Sequence, residues 1–485
     1  MNKYYITTAI PYVNAKPHVG HALEFVQADV IARYQKLLGK EAYLLSGSDE
    51  NALKNVQAAE TAGKQIQDFV DENSHLFQNL AEKLNVTFDF FQKGSNKDHY
   101  ESSQELWKRC EQNGDIYKKD YSGFYCVGCE LFYEKDELNE NGECFEHPGK
   151  ALQEVSETNY FFKLSKYNDQ IKKLIESDEL KITPSSRKNE MLSFIEKGLE
   201  DISISRSNER AKNWGVPVPG DESQRMYVWF DALNIYRSGL GEKYDELWPA
   251  DVHVIGKGIT RFHAIYWPAF LLSAGLPLPK SLFIHGYFTV DGQKMSKSLG
   301  NVVDPIELIN KYGTDALRYY FLSQIPSTDD GDFSEEKLRV VFNADLANGL
   351  GNLVARVARL CEKVSLNNSE TPTIETSTKN TVKTEGTIHN SDKYQSLFNE
   401  FAFNILLNEI WLEIAGVDKK INDDAPWKLV DTDTDTLKTK LTGYVNDIKL
   451  IAFLLQPFLP ETAGKILRQF SGEIKSSDSL FPRIV

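Results

Sequence analysis

Residues 3–10, KYYITTAI, are β-branched and aromatic and predict a strand. The apolar period then changes. Val19, Leu23, Val26, Val30, Tyr34 and Leu37 recur at steps of three and four, which predicts a helix from about His18 to Leu38. A turn with Pro17 precedes it and Gly39 follows as a stop. Residues 42–48, AYLLSGS, predict a second strand. Strand, helix and strand at this spacing imply a parallel unit with a right-handed crossover, whose ligands bind beyond the carboxyl ends of the strands. DVHVIG at 251–256 and SLFIHGYFTV at 281–290 predict two later strands of the same sheet. Between the first two strands and these later ones, about 115–225 has short strands, turn residues and most of the cysteines, and reads as an insertion splitting the sheet.

From about Glu335 the pattern is helical almost to the end. Leu338, Val341, Phe342, Leu346, Leu350, Leu353, Val357 and Leu360 mark one buried face, and further apolar helices are predicted near 401–416 and 437–457. Residues 365–391 are rich in Thr, Ser and Asn with little to bury, which predicts a flexible loop.

Composition adds exclusions. A chain of 485 residues is too long for one core. A formal charge of −15 argues against non-specific coating of nucleic acid, though not against a shaped nucleic acid met by a few basic residues. The start, MNKYYITTAI, lacks the features of a signal peptide, and no uninterrupted apolar run reaches the roughly 18 residues of a membrane span. A cytoplasmic location without membrane attachment is therefore expected. Three of the five cysteines cluster, which reads as metal binding rather than disulfides.

Residues 18–21 read HVGH at the predicted helix start. A helix N-terminus suits phosphate, His18 and His21 add donors, and Gly20 allows close approach of a nucleotide. Residues 294–298 read KMSKS after a strand, placing Lys294 and Lys297 beside Ser296 and Ser298. Two lysines three apart could clamp a triphosphate. Either motif alone is also compatible with ordinary packed or solvated side chains. The pair in this order resembles the two ATP motifs of class I aminoacyl-tRNA synthetases. The resemblance implies that His18 and His21 hold phosphate and ribose, that Lys294 and Lys297 stabilise departing pyrophosphate, and that Mg²⁺ accompanies the ATP.

Several stretches are similar to the methionyl-tRNA synthetase family in particular: TTAIPYVNAKPHVGH at 7–21, SGSDE at 46–50, WGVPVPGD at 214–221, YVWFDAL at 227–233 and VIGKGITRFHAIYWPAF at 254–270. By that resemblance the methionine pocket falls on Ile10, Tyr12, Asp49, Trp229, Ala232, Tyr236, Ile259 and His263. The chemistry agrees: a thioether gains from aromatic contacts, and Asp49 could pair with the substrate ammonium. For the aromatic residues, core packing is the plain alternative. After Asp49–Glu50 the family usually continues His-Gly, whereas Asn51–Ala52 follow here, which puts affinity or rate in question.

Cys126-x-x-Cys129, fourteen residues, then Cys144-x-x-His147 has the spacing of a tetrahedral Zn²⁺ knuckle. Four protein ligands leave no open position, so the expected metal is structural. Cys110 and Cys361 stand apart and read as packing residues. Only 272 residues separate His21 from Lys294, too few for the long editing domain of synthetases that charge valine, isoleucine or leucine.

Asn348, Asn352 and Arg356 form a polar stripe at four-residue steps, and a further helix is expected around APW at 425–427. The resemblance implies that Asn352, Arg356 and Trp427 read an anticodon, as unpaired bases are read by hydrogen bonding and stacking. The expected architecture is a Rossmann-like α/β domain in two halves, 1–115 and 226–335, a zinc-knuckle connective insert at 116–225, and an all-α anticodon-binding domain at 336–485. The expected function is ATP-dependent activation of methionine and its transfer to the 3′ end of tRNA(Met), by a monomer. A ligase for another amino acid, a catalytically weakened tRNA-binding paralogue and a small nucleotidyltransferase are the alternatives.

Overall fold

The computed structural model describes residues 3–129, 131–133, 137–145, 149–295, 300–368, 373–375, 381–384, 387–388 and 391–484. The chain divides into two compact units. The first is Met1–Pro17, Glu41–Glu82 and Val86–His285; the second is His18–Lys40, Lys83–Asn85 and Gly286–Val485.

The first unit is built on a six-stranded sheet in the order Phe90–Lys93, Glu41–Ser48, Lys3–Thr8, Val252–Gly256, Ser281–His285 and Lys181–Thr183. Every neighbouring pair is parallel. Val252–Ile255 and Leu282–His285 are buried without alternation, as in parallel strands enclosed on both faces. Strand order reverses at Lys3–Thr8, whose partners are Glu41–Ser48 on one side and Val252–Gly256 on the other. The crevice beyond the carboxyl ends of strands at such a switch point is where these sheets take ligands.

Two features differ from the sequence reading. Lys181–Thr183, inside the stretch read as an insert, is the edge strand beside Ser281–His285. Three residues are too few to show a period of two. Elsewhere that stretch holds the helices Asn168–Glu176 and Ser185–Glu196 and two antiparallel sheets, one of Leu131–Tyr133, Ile116–Cys126, Gln153–Phe162 and Ile202–Ser203, the other of Pro217–Val218, Asp221–Met226 and Ser205–Ser207. The run 281–290 is also two strands rather than one. Ser281–His285 stays in the main sheet, while Phe288–Val290 pairs with Gln293–Lys294 and Gly331–Phe333 in the second unit. At Gly286 a Cβ would lie 2.2 Å from the backbone of Asp329, so the crossing there admits only glycine.

The second unit is mainly helical. Tyr34, on the helix Val19–Leu37, stacks on Phe398 with ring centroids 3.5 Å apart. The fully buried Arg318 pairs with Asp29 at 2.7 Å and donates to the carbonyls of Leu84, Pro457 and Phe458. From Glu335 the chain runs through Glu335–Val341, a π-helical stretch Phe342–Gly351 and Asn352–Lys363. Leu338, Phe342, Leu346, Leu350, Leu353, Val357 and Leu360 are buried as their spacing predicts, whereas Val341 is only partly buried. The helices Phe403–Asp424 and Thr434–Leu455 follow. Within 365–391, read as a loop, the described residues pair instead. Asn367–Asn368 joins Gly472–Glu473, and Thr373–Glu375, Thr381–Thr384 and Thr387–Ile388 form an antiparallel sheet. The many threonines that offer nothing to a core are β-branched and suit strands. Among the described residues no helix is long and apolar enough to cross a membrane.

Candidate functional site

His18 is the N-cap of the helix Val19–Leu37. Its Nδ1 accepts from the Gly20 N–H at 3.1 Å, and His21 Nδ1 accepts from the His18 N–H at 3.2 Å. This reciprocal cap sets the two imidazoles close together, their centroids 3.9 Å apart and their planes tilted by 33°. A Cβ on Gly20 would come to 3.0 Å from the His18 ring and 3.8 Å from the Met295 methyl. The second unit thus brings HVGH and the start of KMSKS together at one helix N-terminus, whose N–H groups favour anions. Lys294 ends the hairpin strand Gln293–Lys294, paired with Thr289. Ser296, Lys297 and Ser298 lie outside the described residues.

In the first unit the eight residues assigned to methionine gather beyond the carboxyl ends of the central strands. Ile10 and Tyr12 follow Lys3–Thr8, Asp49 follows Glu41–Ser48, and Ile259 follows Val252–Gly256. Tyr12 and Asp49 bridge in parallel, with Asp49 N–H donating to Pro11 O at 2.9 Å. Trp229 and Ala232 lie on the short helix Val228–Ala232. Trp229 meets Tyr12 edge-on at 6.3 Å and stacks on Phe262 at 3.8 Å. Tyr236 and His263 bond through the hydroxyl and Nε2 at 2.7 Å, and His263 Nδ1 lies 3.0 Å from the Ile259 carbonyl. The carbonyl can only accept, so the proton sits on Nδ1 and Nε2 receives the tyrosine O–H. Burial pushes the imidazole down to about 4 and so keeps it neutral, the Ile259 bond opposing only in part. The cluster is aromatic, with Asp49 a buried acid bridged to Tyr12.

Three thiols, Cys126, Cys129 and Cys144, lie within 4.8 Å of one another. The Tyr133 hydroxyl donates to Cys129 Sγ at 3.2 Å. Contact with the Cys126 thiol, then burial, pushes the Cys129 thiol up, so a cation is what would turn this cluster into thiolates. The soft donor set fits zinc. His147 lies outside the described residues. Cys110 and Cys361 are buried, and burial pushes each up to about 12, as expected of packing cysteines.

The turn between Cys126 and Cys129 also reaches the pocket. Lys54 Nζ donates to Gly128 O at 2.9 Å and lies 3.1 Å from the centre of the Tyr12 ring. Trp229 Nε1 is 3.5 Å from Cys129 O.

In the second unit Arg356 donates to Asp418 at 3.0 Å and to Asn422 at 2.7 Å, with its guanidinium 5.3 Å from the Trp427 ring. Trp427 is 47% exposed, unusual for an indole. Asn352 is exposed one turn before Arg356. APW is not a regular helix: Ala425 turns left-handed at φ 44°, and Pro426–Lys428 is a single tight turn.

The sequence reading missed Phe262, Lys54 and Asp231. Phe262 adjoins His263 and could have been found from that neighbour. Asp231 lies inside YVWFDAL, but it and Lys54 matter through contacts far apart in the chain, which no local pattern reports.

Comparison with known proteins gives two family matches. Residues 4–358 match the model described as tRNA synthetases class I (M), and residues 393–481 the anticodon binding domain of methionyl tRNA ligase. The methionine–tRNA ligase of Thermotoga maritima is 41% identical over 484 residues, covering 98% of this chain and 76% of that protein. That of a Nostoc species is 42% identical, covering 96% and 89%. The structure of Mycobacterium tuberculosis methionyl-tRNA synthetase in complex with methionyl-adenylate is similar with a TM-score of 0.90 at 36% identity, covering 100% of both chains.

Proposed function

The chain belongs to the methionyl-tRNA synthetases of class I, and from that premise we propose how its residues divide the work of activating methionine with ATP and passing it to tRNA. A methionine carboxylate is already ionised at neutral pH, so its attack on the α-phosphate needs no protein base. The products are methionyl-adenylate and pyrophosphate. The 3′-terminal ribose hydroxyl of tRNA(Met) then attacks the adenylate carbonyl and AMP leaves. Catalysis is positioning plus neutralisation of phosphate charge.

The observation that carries this reading is the clustering of all eight pocket residues at the switch point of the sheet. Asp49 takes the ammonium of methionine. Trp229, Tyr12 and Tyr236 enclose the thioether, with Ile10, Ala232 and Ile259 filling between. His263 stays neutral and orients the Tyr236 hydroxyl. His18, His21 and Gly20 receive phosphate and ribose at a helix N-terminus. Lys294 and Lys297, with Ser296 and Ser298, take the departing pyrophosphate, and Mg²⁺ accompanies ATP. Cys126, Cys129 and Cys144, with His147, hold one Zn²⁺. Four ligands close its coordination, so it supplies structure and no chemistry at the reacting atoms. Asn352, Arg356 and Trp427 read the anticodon. A cytoplasmic monomer is the expected form.

The test is exchange of labelled pyrophosphate into ATP, run with each of the twenty amino acids. Exchange with methionine alone, lost in Lys297→Ala and His21→Ala, is the expected result. Exchange with another amino acid overturns the pocket assignment. No exchange from folded, zinc-loaded protein favours the catalytically weakened paralogue.

A further inference from the structure

We propose that Asn51 is a positioning residue for methionine. Its side-chain amide holds the carboxyl of Asp231, and so fixes the strand end bearing Asp49 against the short helix bearing Trp229 and Ala232. The inference rests on the assignment of those three residues to the methionine site.

Asn51 is 2% exposed, so its amide must find partners within the protein. Nδ2 donates to Asp231 Oδ2 at 2.6 Å and to Gly94 O at 2.8 Å, and Oδ1 accepts from the Tyr100 hydroxyl at 3.1 Å. Both N–H bonds and the carbonyl are thus in use, which fixes which way the amide faces. An imidazole at this position has only two ring nitrogens and could not make all three bonds. The Asn51 backbone carbonyl accepts from the buried Arg206 at 2.9 Å, pinning the main chain as well.

Asp231 is equally enclosed, at 2% exposed. Its Oδ1 has no hydrogen-bond partner among the described residues, and His99 Nε2 stands 3.6 Å from Oδ2. The Asn51 amide is therefore its one close side-chain donor among the described residues. Asp231 sits between Trp229 and Ala232, and Asn51 follows Asp49 by two residues. A single 2.6 Å bond ties the group for the ammonium to the group for the thioether. Loosening it should change how well the two ends of methionine are met together and leave the phosphate side alone.

The test is steady-state pyrophosphate exchange by the full chain, reading KM for methionine, KM for ATP and kcat. Asn51→Leu should raise KM for methionine about tenfold, the worth of one hydrogen bond to a charged partner, with kcat and KM for ATP within about threefold. Asp231→Leu should do the same, and the double variant should cost no more than either single one. Asp231→Asn, whose carbonyl oxygen can accept the same bond, should lose less than Asp231→Leu. If Asn51→Leu does not fold, Asn51→Ser, too short to reach Asp231, replaces it. An unchanged KM for methionine, equal losses in all three constants, or full additivity of the two leucine variants would overturn the proposal. Asp49→Ala separates it from the assignment beneath. If that variant leaves KM for methionine unchanged, the assignment fails. If it raises KM while Asn51→Leu does not, the assignment stands and the role of Asn51 falls.

Discussion

The hydroxyl of Tyr236 donates to Nε2 of His263 across 2.7 Å, and both side chains are buried. The bond exists only while the imidazole is neutral, because a protonated ring has no lone pair to offer. Burial secures that state by pushing His263 from its ordinary value down to about 4. Unfolded chains take up the proton near pH 6.5, folded ones only near 4, so the unfolded state binds more protons between these values.

Stability contributed by the neutral ring is therefore complete above about pH 6.5 and is lost as pH falls toward 4. One site with this shift accounts for about 3 kcal/mol over the window. Denaturant melts at stepped pH should show stability falling with acidity. His263→Asn should flatten the slope between pH 6.5 and 4 by about one proton. An unchanged slope would place the acid sensitivity elsewhere, His253 being the next buried imidazole, also held well below its ordinary value by burial.

Gly20→Ala should damage the ATP side alone. Its Cβ would come to 3.0 Å from the His18 ring, so that ring must shift by a few tenths of an ångström against its bond to the Gly20 N–H. The expected result is a KM for ATP raised about tenfold, from one lost cap and one displaced phosphate donor, with methionine affinity unchanged in equilibrium binding. Equal weakening of both ligands would count against a phosphate role for the cap.

Trp427→Ala should separate the two half-reactions. Exchange should be unaffected, while charging of tRNA(Met) should fall about 5- to 100-fold in kcat/KM, matching the loss of one base stack. Arg356→Gln should act in the same direction, since the guanidinium lies beside that indole. Loss of exchange in either variant would point to a structural role instead.

The elements that were legible in the sequence are those with many repeats of one period. The helix Val19–Leu37 and the buried face from Leu338 to Leu360 each repeat over several turns, and both were readable. Lys181–Thr183 offers three residues and no period, so its membership of the sheet depends on a neighbour a hundred residues away. Thr373, Thr381, Thr384 and Thr387 could be read as polar or as β-branched, and polarity was the wrong guide. In the pocket, the residues at strand ends stood in recognisable motifs. Lys54 did not, and Asp231, although inside YVWFDAL, takes its role from a bond to Asn51 that is 180 residues away and that no motif reports.

Lys54 has its ammonium against the Tyr12 ring and against the carbonyl of Gly128, inside the cysteine turn. One side chain thus touches both a residue assigned to the methionine site and the turn between two of the clustered thiols. If an ion that orders the turn improves the hold on methionine by some factor, then by reciprocity methionine must improve the hold on the ion by the same factor. With such coupling, methionine held beside Tyr12 would guard the turn against losing its ion.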